Sequence, residues 1–173
     1  MHKKFDIVVV GTGAAGLFCC LSLPRDKKIL CISKDALDGS DSFLAQGGIC
    51  VMRDDDDYDS FMEDTMRAGH YENRKESVDI MIRSSQDIIN DLISYGVEFD
   101  KENGELAFTK EGAHSKNRIL FHADVTGREI TSKLLARVQE LDNVTLMAHT
   151  TMVDWICKKN VCYVLILKMK RLM

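Results

Sequence analysis

Apolar and polar positions follow two different rhythms along this chain, and each predicts a different kind of element. Phe5 to Val10 is nearly all apolar and β-branched, the mark of a parallel strand buried on both faces. Ala14 to Leu23 holds good helix formers with no breaker before Pro24, and Lys28 to Ser33 reads as a second parallel strand. This β-α-β unit spans about thirty residues, the size such a crossover requires. A helical period then places Val78, Met81, Ile82, Ser85, Ile89 and Leu92 on one face, with Gly96 set to end the helix. Ile130, Leu134, Val138 and Leu141 share one side of a further helix over Gly127–Leu141. Ser60 with Glu63, and Asn73 with Glu76, fit capping boxes, so a short helix to about Ala68 and the stronger helix after it each have a start signal. Val97–Phe99 and Leu106–Phe108 flank Asn103-Gly104, which predicts a hairpin. Val144–Ala148 reads as a strand, and Met152–Cys157 and Val161–Leu167 can pair across Lys158-Lys159-Asn160. Between these lie a glycine-containing loop, Lys34–Val51, and a polar loop with two histidines, Lys110–Thr126. The acidic run Asp54–Asp57 reads as a solvated loop or helix start, because a hard-metal loop needs alternating ligands and a sharp glycine turn.

The first strand runs straight into Gly11-Thr12-Gly13-Ala14-Ala15-Gly16. A strand that delivers this spacing into a helix gathers backbone N–H groups and the positive end of the helix dipole at one point. Gly11 permits the tight turn, Gly13 lets a diphosphate approach the backbone, and Gly16 lets helix and strand pack closely. A dinucleotide site follows. At the end of the second strand the motif expects an acidic residue for the ribose hydroxyls, whereas this chain has Ser33-Lys34, then Asp35. Lys34 can serve ribose or phosphate electrostatically, and Ser33 can donate or accept a hydrogen bond. Asp41-Ser42-Phe43-Leu44-Ala45-Gln46-Gly47-Gly48 supplies a second glycine signature downstream. The pair together points to a flavin.

Composition narrows the classes further. The chain has 173 residues, enough for one domain with a core, with 45% apolar and 29% charged residues. A net charge of -4 argues against nucleic acid as a partner, because phosphate backbones call for a basic face. No apolar stretch approaches membrane-spanning length and none reads as a signal peptide. The six cysteines show no CxxC spacing, which fits a reducing cytoplasm, and no His or Cys pattern resembles a zinc site.

VVVGTGAAGL, ISK, DSFLAQGGI, FMEDTMRAG and TKEGAHSKNRILFHADVTGREI, in that order, closely resemble the L-aspartate oxidase family. That family belongs with the flavoprotein subunits of succinate dehydrogenase and fumarate reductase. The likeness runs from about Phe5 to about Ile156, and its members share the Ser-Lys pair that departs from the general motif. The resemblance implies an α/β fold: a Rossmann-like FAD-binding domain with a parallel β-α-β core, incomplete relative to the family. Residues 1–173 would be its N-terminal portion, with the capping and helical C-terminal domains outside it. It also implies oxidation of L-aspartate to iminoaspartate on the way to NAD, with oxygen or fumarate as acceptor. Quinolinate synthase or a separately encoded C-terminal half would be the protein partner.

Carried over by position, the resemblance places Thr12, Gly13, Ala14 and Ala15 on the FAD diphosphate and Lys34 at the adenosine end. Asp41 through Gly48 would wrap the diphosphate and the flavin. Dicarboxylate-oxidising relatives carry, at the position of Asp41, a histidine that in many is bonded to the flavin, so FAD here would be non-covalent. Glu111, by itself an ordinary solvated loop carboxylate, would meet the substrate's α-ammonium group, which succinate lacks. His114, His122 and Arg118 read as hydrogen-bonding loop members. The proton-transferring arginine of the family lies beyond the matched stretch, so no catalytic residue is assigned. Other readings are a dicarboxylate-oxidising flavoprotein fragment, a non-catalytic FAD-binding module, and a nicotinamide-dependent dehydrogenase.

Overall fold

The computed structural model describes residues 4–159 and 161–169, and these fall into two compact units. One comprises residues up to 44 and from 130 onward, and the other residues 45–129. Length alone predicts one core. The second arises because the inserted segment buries its own apolar set, Met52, Phe61, Met62, Val78 and Ile82.

The first unit is the predicted β-α-β. Strand β1 (Ile7–Val10), helix α1 (Ala14–Ser22) and strand β2 (Ile29–Ile32) follow in order, and β1 and β2 pair in parallel with Ile7 opposite Ile29. Strand β2 is buried along its whole length, the consequence of its Ile-Leu-Cys-Ile run. A short helix α2 (Asp41–Leu44) interrupts what the sequence reads as loop; Ser40 caps it through its hydroxyl, which accepts from the Phe43 N–H at 3.3 Å.

In the second unit, strand β3 (Ile49–Cys50) is followed by a 3₁₀ turn at Asp55–Asp57 and helices α3 (Tyr58–Ala68) and α4 (Lys75–Ser94). Neither predicted capping box forms. Helix α3 begins two residues before Ser60, whose hydroxyl turns back to Asp57, and no side chain caps α4. Helix α4 buries Val78, Ile82, Ser85, Ile89 and Leu92 as the period requires, but Met81 is 47% exposed at the edge of that stripe. Gly96, at φ +95°, ends it as expected, with the Val97 N–H bonding to the Leu92 carbonyl at 3.0 Å. The hairpin forms around Asn103 (φ +54°) and Gly104 (φ +90°), but its strands are the two-residue β4 (Lys101–Glu102) and β5 (Glu105–Leu106) next to the turn, and Val97–Phe99 is not one of its arms. The polar loop contains an unforeseen strand, β6 (Ile119–Leu120), antiparallel to β3.

Helix α5 (Thr126–Gln139) carries the chain back to the first unit, where Leu134 and Val138 are buried. Strand β7 (Val144–Met147) then adds to β2 in parallel, giving the order β1-β2-β7. Strands β8 (Thr150–Lys158) and β9 (Val161–Met169) form the expected antiparallel pair, with register shifts at Met152/Asp154 and Ile156/Cys157. Among the described residues no helix is long and apolar enough to cross a membrane.

Candidate functional site

The glycine loop has the geometry its spacing demands. Gly11 sits at φ +110°, a conformation open to glycine. A Cβ on Gly16 would stand 2.1 Å from the Gly11 carbonyl oxygen, so the helix can lie this close to the turn only without a side chain there. A Cβ on Gly13 would meet the Ser42 hydroxyl at 2.9 Å. Gly13 is the N-cap of α1 and no side chain caps the helix, so the first-turn amides of Ala14 and Ala15 keep the dipole's positive end without a protein partner from a cap. Thr12 is 2% exposed and its Oγ1 is buried with no hydrogen-bond partner. A buried unpaired hydroxyl beside an uncapped helix start is the donor set that an anionic diphosphate satisfies. The loop fits a dinucleotide.

The remaining residues singled out in the sequence are distributed over both units. Ser33 is buried at the end of β2 and donates its hydroxyl to the Ala36 carbonyl at 3.0 Å, so it shapes the loop there, while Lys34 is exposed. Asp41, Ser42, Phe43 and Leu44 form α2 in the first unit. Ala45, Gln46, Gly47 and Gly48 are exposed in the second, where the Ala45 carbonyl accepts from the Gly127 N–H at 3.0 Å. A Cβ on Gly48 would collide with Ile119 at 2.2 Å and the Leu120 carbonyl at 2.3 Å, so this segment lies flat on β6. Gly47 is where Glu111 arrives: both carboxylate oxygens stand 3.6 Å from the point a Gly47 Cβ would occupy. No hydrogen bond or ion pair engages that carboxylate among the described residues.

Arg118 is the residue whose weight sequence reasoning missed. It is 0% exposed and bonds two buried aspartates at once. Its Nη2 donates to Asp57 Oδ1 at 2.7 Å and its Nε to Asp57 Oδ2 at 3.1 Å, while Nη1 donates to Asp64 Oδ2 at 2.6 Å. The acidic run does lead into a helix start, at α3, but its last acid, Asp57, is completely buried and not solvated. Burial opposes its ionisation, but Arg118, Ser60 and the Arg53 N–H outweigh that and hold its pKa down to about 2. Asp64 is likewise held well below the carboxylate range, against burial, by the Ser115 amide and hydroxyl at 2.7 Å each and by Arg118. The signal for this cluster was present only as two acids seven residues apart and an arginine more than fifty residues further on.

The same guanidinium donates to His114 Nδ1 at 3.1 Å. A guanidinium has no lone pair, so Nδ1 is the acceptor, and in the neutral ring Nε2 carries the proton toward Cys50 Sγ, 3.2 Å away. Burial pushes the Cys50 thiol up, so the pair is a structural contact and supplies no activated thiolate. The loop is thus tied to α3 through Asp64 and to β3 through Cys50. At its start the His114 N–H closes a turn on the Glu111 carbonyl at 3.0 Å. No group of three or more metal-ligating side chains occurs among the described residues.

Residues 6–171 match the family model described as FAD binding domain. The chain belongs to that family. As a member of the FAD binding domain family it takes FAD as its cofactor, in keeping with the loop geometry. It is 42% identical over 162 residues to an L-aspartate oxidase of Clostridium perfringens, covering 94% of this chain and 37% of that protein. It is 39% identical over 164 residues to the L-aspartate oxidase of Clostridium acetobutylicum, covering 94% and 38% respectively. The chain therefore spans under two fifths of the length of these relatives. Among solved structures, the quinol fumarate reductase FrdA of E. coli superposes with a TM-score of 0.89 at 21% identity, covering 95% of this chain and 29% of that one. Mycobacterium smegmatis Sdh1 gives 0.86 at 23%, covering 96% and 31%. These two likenesses establish the fold.

Proposed function

We propose that this chain is the FAD-binding portion of an L-aspartate oxidase, and that the uncommitted Glu111 carboxylate beside Gly47 is the group that selects an amino acid over a plain dicarboxylate. The Glu111 geometry carries the reading. An exposed carboxylate with no hydrogen bond to protein, on a loop anchored by a buried ion-pair cluster, is free to receive an ammonium group in exchange for water. In this reading Thr12, Gly13, Ala14 and Ala15 hold the cofactor's diphosphate and Lys34 approaches its adenosine end. Asp41 to Gly48 bring backbone amides toward the flavin, where glycine permits close approach. When bound, FAD accepts the hydride removed from the substrate α-carbon; protein groups orient the substrate and hold its charge. Oxygen or fumarate then serves as acceptor, and iminoaspartate is the product leading toward NAD. The rest of an intact enzyme, covalently continuous or separately encoded, supplies the capping domain and the groups that bind the substrate carboxylates.

Two measurements test this. Purified chain incubated with FAD should show a flavin visible spectrum, and acid precipitation should leave a colourless pellet under a yellow supernatant, because Asp41 gives the flavin no attachment point. Yellow pellets would favour the covalent dicarboxylate-oxidising relatives. The chain complemented with the remaining portion of a full-length relative should oxidise L-aspartate, and Glu111→Gln should lower its preference for L-aspartate over succinate by about tenfold or more. An unchanged preference would remove Glu111 from this role.

A further inference from the structure

We propose that Asn103 is a site of spontaneous modification: the backbone nitrogen of Gly104 displaces its side-chain amide and leaves aspartyl and isoaspartyl residues in its place. An asparagine side-chain carbonyl carbon lies one five-membered ring away from the nitrogen of the next residue, so access and freedom govern the attack. Of the asparagines in this chain, Asn103 alone precedes glycine. Asn73, Asn90, Asn117, Asn143 and Asn160 are each followed by a residue whose side chain crowds the approach. At Gly104 even an added Cβ would have nothing within 4 Å. Both residues of the pair are exposed. The Gly104 N–H makes no hydrogen bond among the described residues, and none holds the Asn103 side chain. Asp38-Gly39, the other acid or amide residue before a glycine, differs: its Gly39 N–H is committed to the Ala36 carbonyl at 3.1 Å.

The attack requires Asn103 to rotate out of its turn conformation, and little holds it there. Strands β4 and β5 are two residues long, and of their four side chains only Leu106 is partly buried. A hairpin this short, without an apolar face, opens at small cost. A base from solvent takes the Gly104 amide proton as the nitrogen bonds to Asn103 Cγ. The Cγ–Nδ2 bond breaks, ammonia leaves, and a succinimide remains. Water then opens that ring at either carbonyl. The sum is one ammonia lost and one water gained, with no change of oxidation state. Opening at the backbone carbonyl inserts a methylene into the main chain, which breaks the pairing of Lys101 with Leu106 across the turn. Either product sets a third carboxylate beside Glu102 and Glu105, on the rim of a cavity of about 310 Å³ that Arg53 and Phe108 also line.

Peptide mass mapping of the folded chain, kept in warm neutral buffer beside a free peptide carrying residues 100–107, tests this. The segment holding Asn103 should gain about 1 Da as an amide NH2 becomes a hydroxyl. An isoaspartyl-specific methyltransferase should label it, and the other asparagines should keep their mass. The folded chain should react within about tenfold of the free peptide's rate, the margin of a tip that opens locally. Slower reaction than that overturns the proposal, as does a gain spread over the other asparagines, which would report the unfolded chain. Asn103→Gln should abolish the gain. Gly104→Ala should slow it by about tenfold or more, because a methyl group then hinders the attacking nitrogen. An unchanged rate in Gly104→Ala would mean that water attacks the amide directly, and it too would overturn the proposal.

Discussion

Single residues in the second unit bear unusual energetic weight, and Arg118 bears the most. Truncating one member of a buried ion pair leaves its partners charged and unsolvated, a loss of about 3–5 kcal/mol. Arg118→Ala should therefore lower the thermal midpoint by many degrees, a change that differential calorimetry would register. Replacing Met81, exposed on the same unit, should be nearly neutral. The aspartates give the cluster a pH signature with a definite sign. Asp57 has a folded pKa of about 2 against an ordinary 3.8, so its contribution is complete above the ordinary value and is lost as pH falls through the folded one. A shift of that size corresponds to about 2 kcal/mol, and Asp64, lowered for similar reasons, adds to it. Stability measured by urea denaturation should drop between about pH 5 and pH 2, and Asp57→Asn should flatten that drop.

Elements are fixed by local conformation as much as by burial. The turn into α1 works because Gly16 leaves room for the Gly11 carbonyl. Gly16→Ala sets a methyl group against backbone, which cannot rotate away, so it should cost about 1–3 kcal/mol and weaken FAD binding in a flavin-fluorescence titration. Gly104, by contrast, has open space around it and only its φ of +90° to protect. Gly104→Ala should cost about 1 kcal/mol, visible as a small fall in thermal midpoint, with FAD affinity unchanged. The two glycines differ physically: one guards a close contact, the other a backbone angle.

Across the whole molecule, the acid-sensitive cluster belongs to one unit and the parallel sheet to the other. Hydrogen exchange near pH 3 should therefore show amides of α3 and β6 losing protection before those of β1, β2 and β7; uniform loss would mean that the units unfold as one. Much of the architecture was legible beforehand. Strands β1, β2 and β7 and helices α1, α4 and α5 rest on apolar runs or 3.6-residue periods that leave few alternatives. The two-residue strands β3 and β6 were not legible, because so short a run carries no period and exists only where its partner lies alongside. The Ser60 capping box failed because α3 starts two residues earlier, which puts Ser60 inside the helix, where its hydroxyl donates back to Asp57.

The order of residues by itself determined the β-α-β start, the flavin signature and the identity of the glycines, since those depend on backbone freedom and on neighbours within one turn. Only the tertiary structure decided that Asp57 is buried, that Arg118 joins two acids and an imidazole, and that Glu111 reaches Gly47. Charge is the physical reason. A carboxylate's sequence position says nothing of its dielectric surroundings, and whether it is solvated, paired or waiting for a ligand is settled by groups that folding brings from fifty residues or more away.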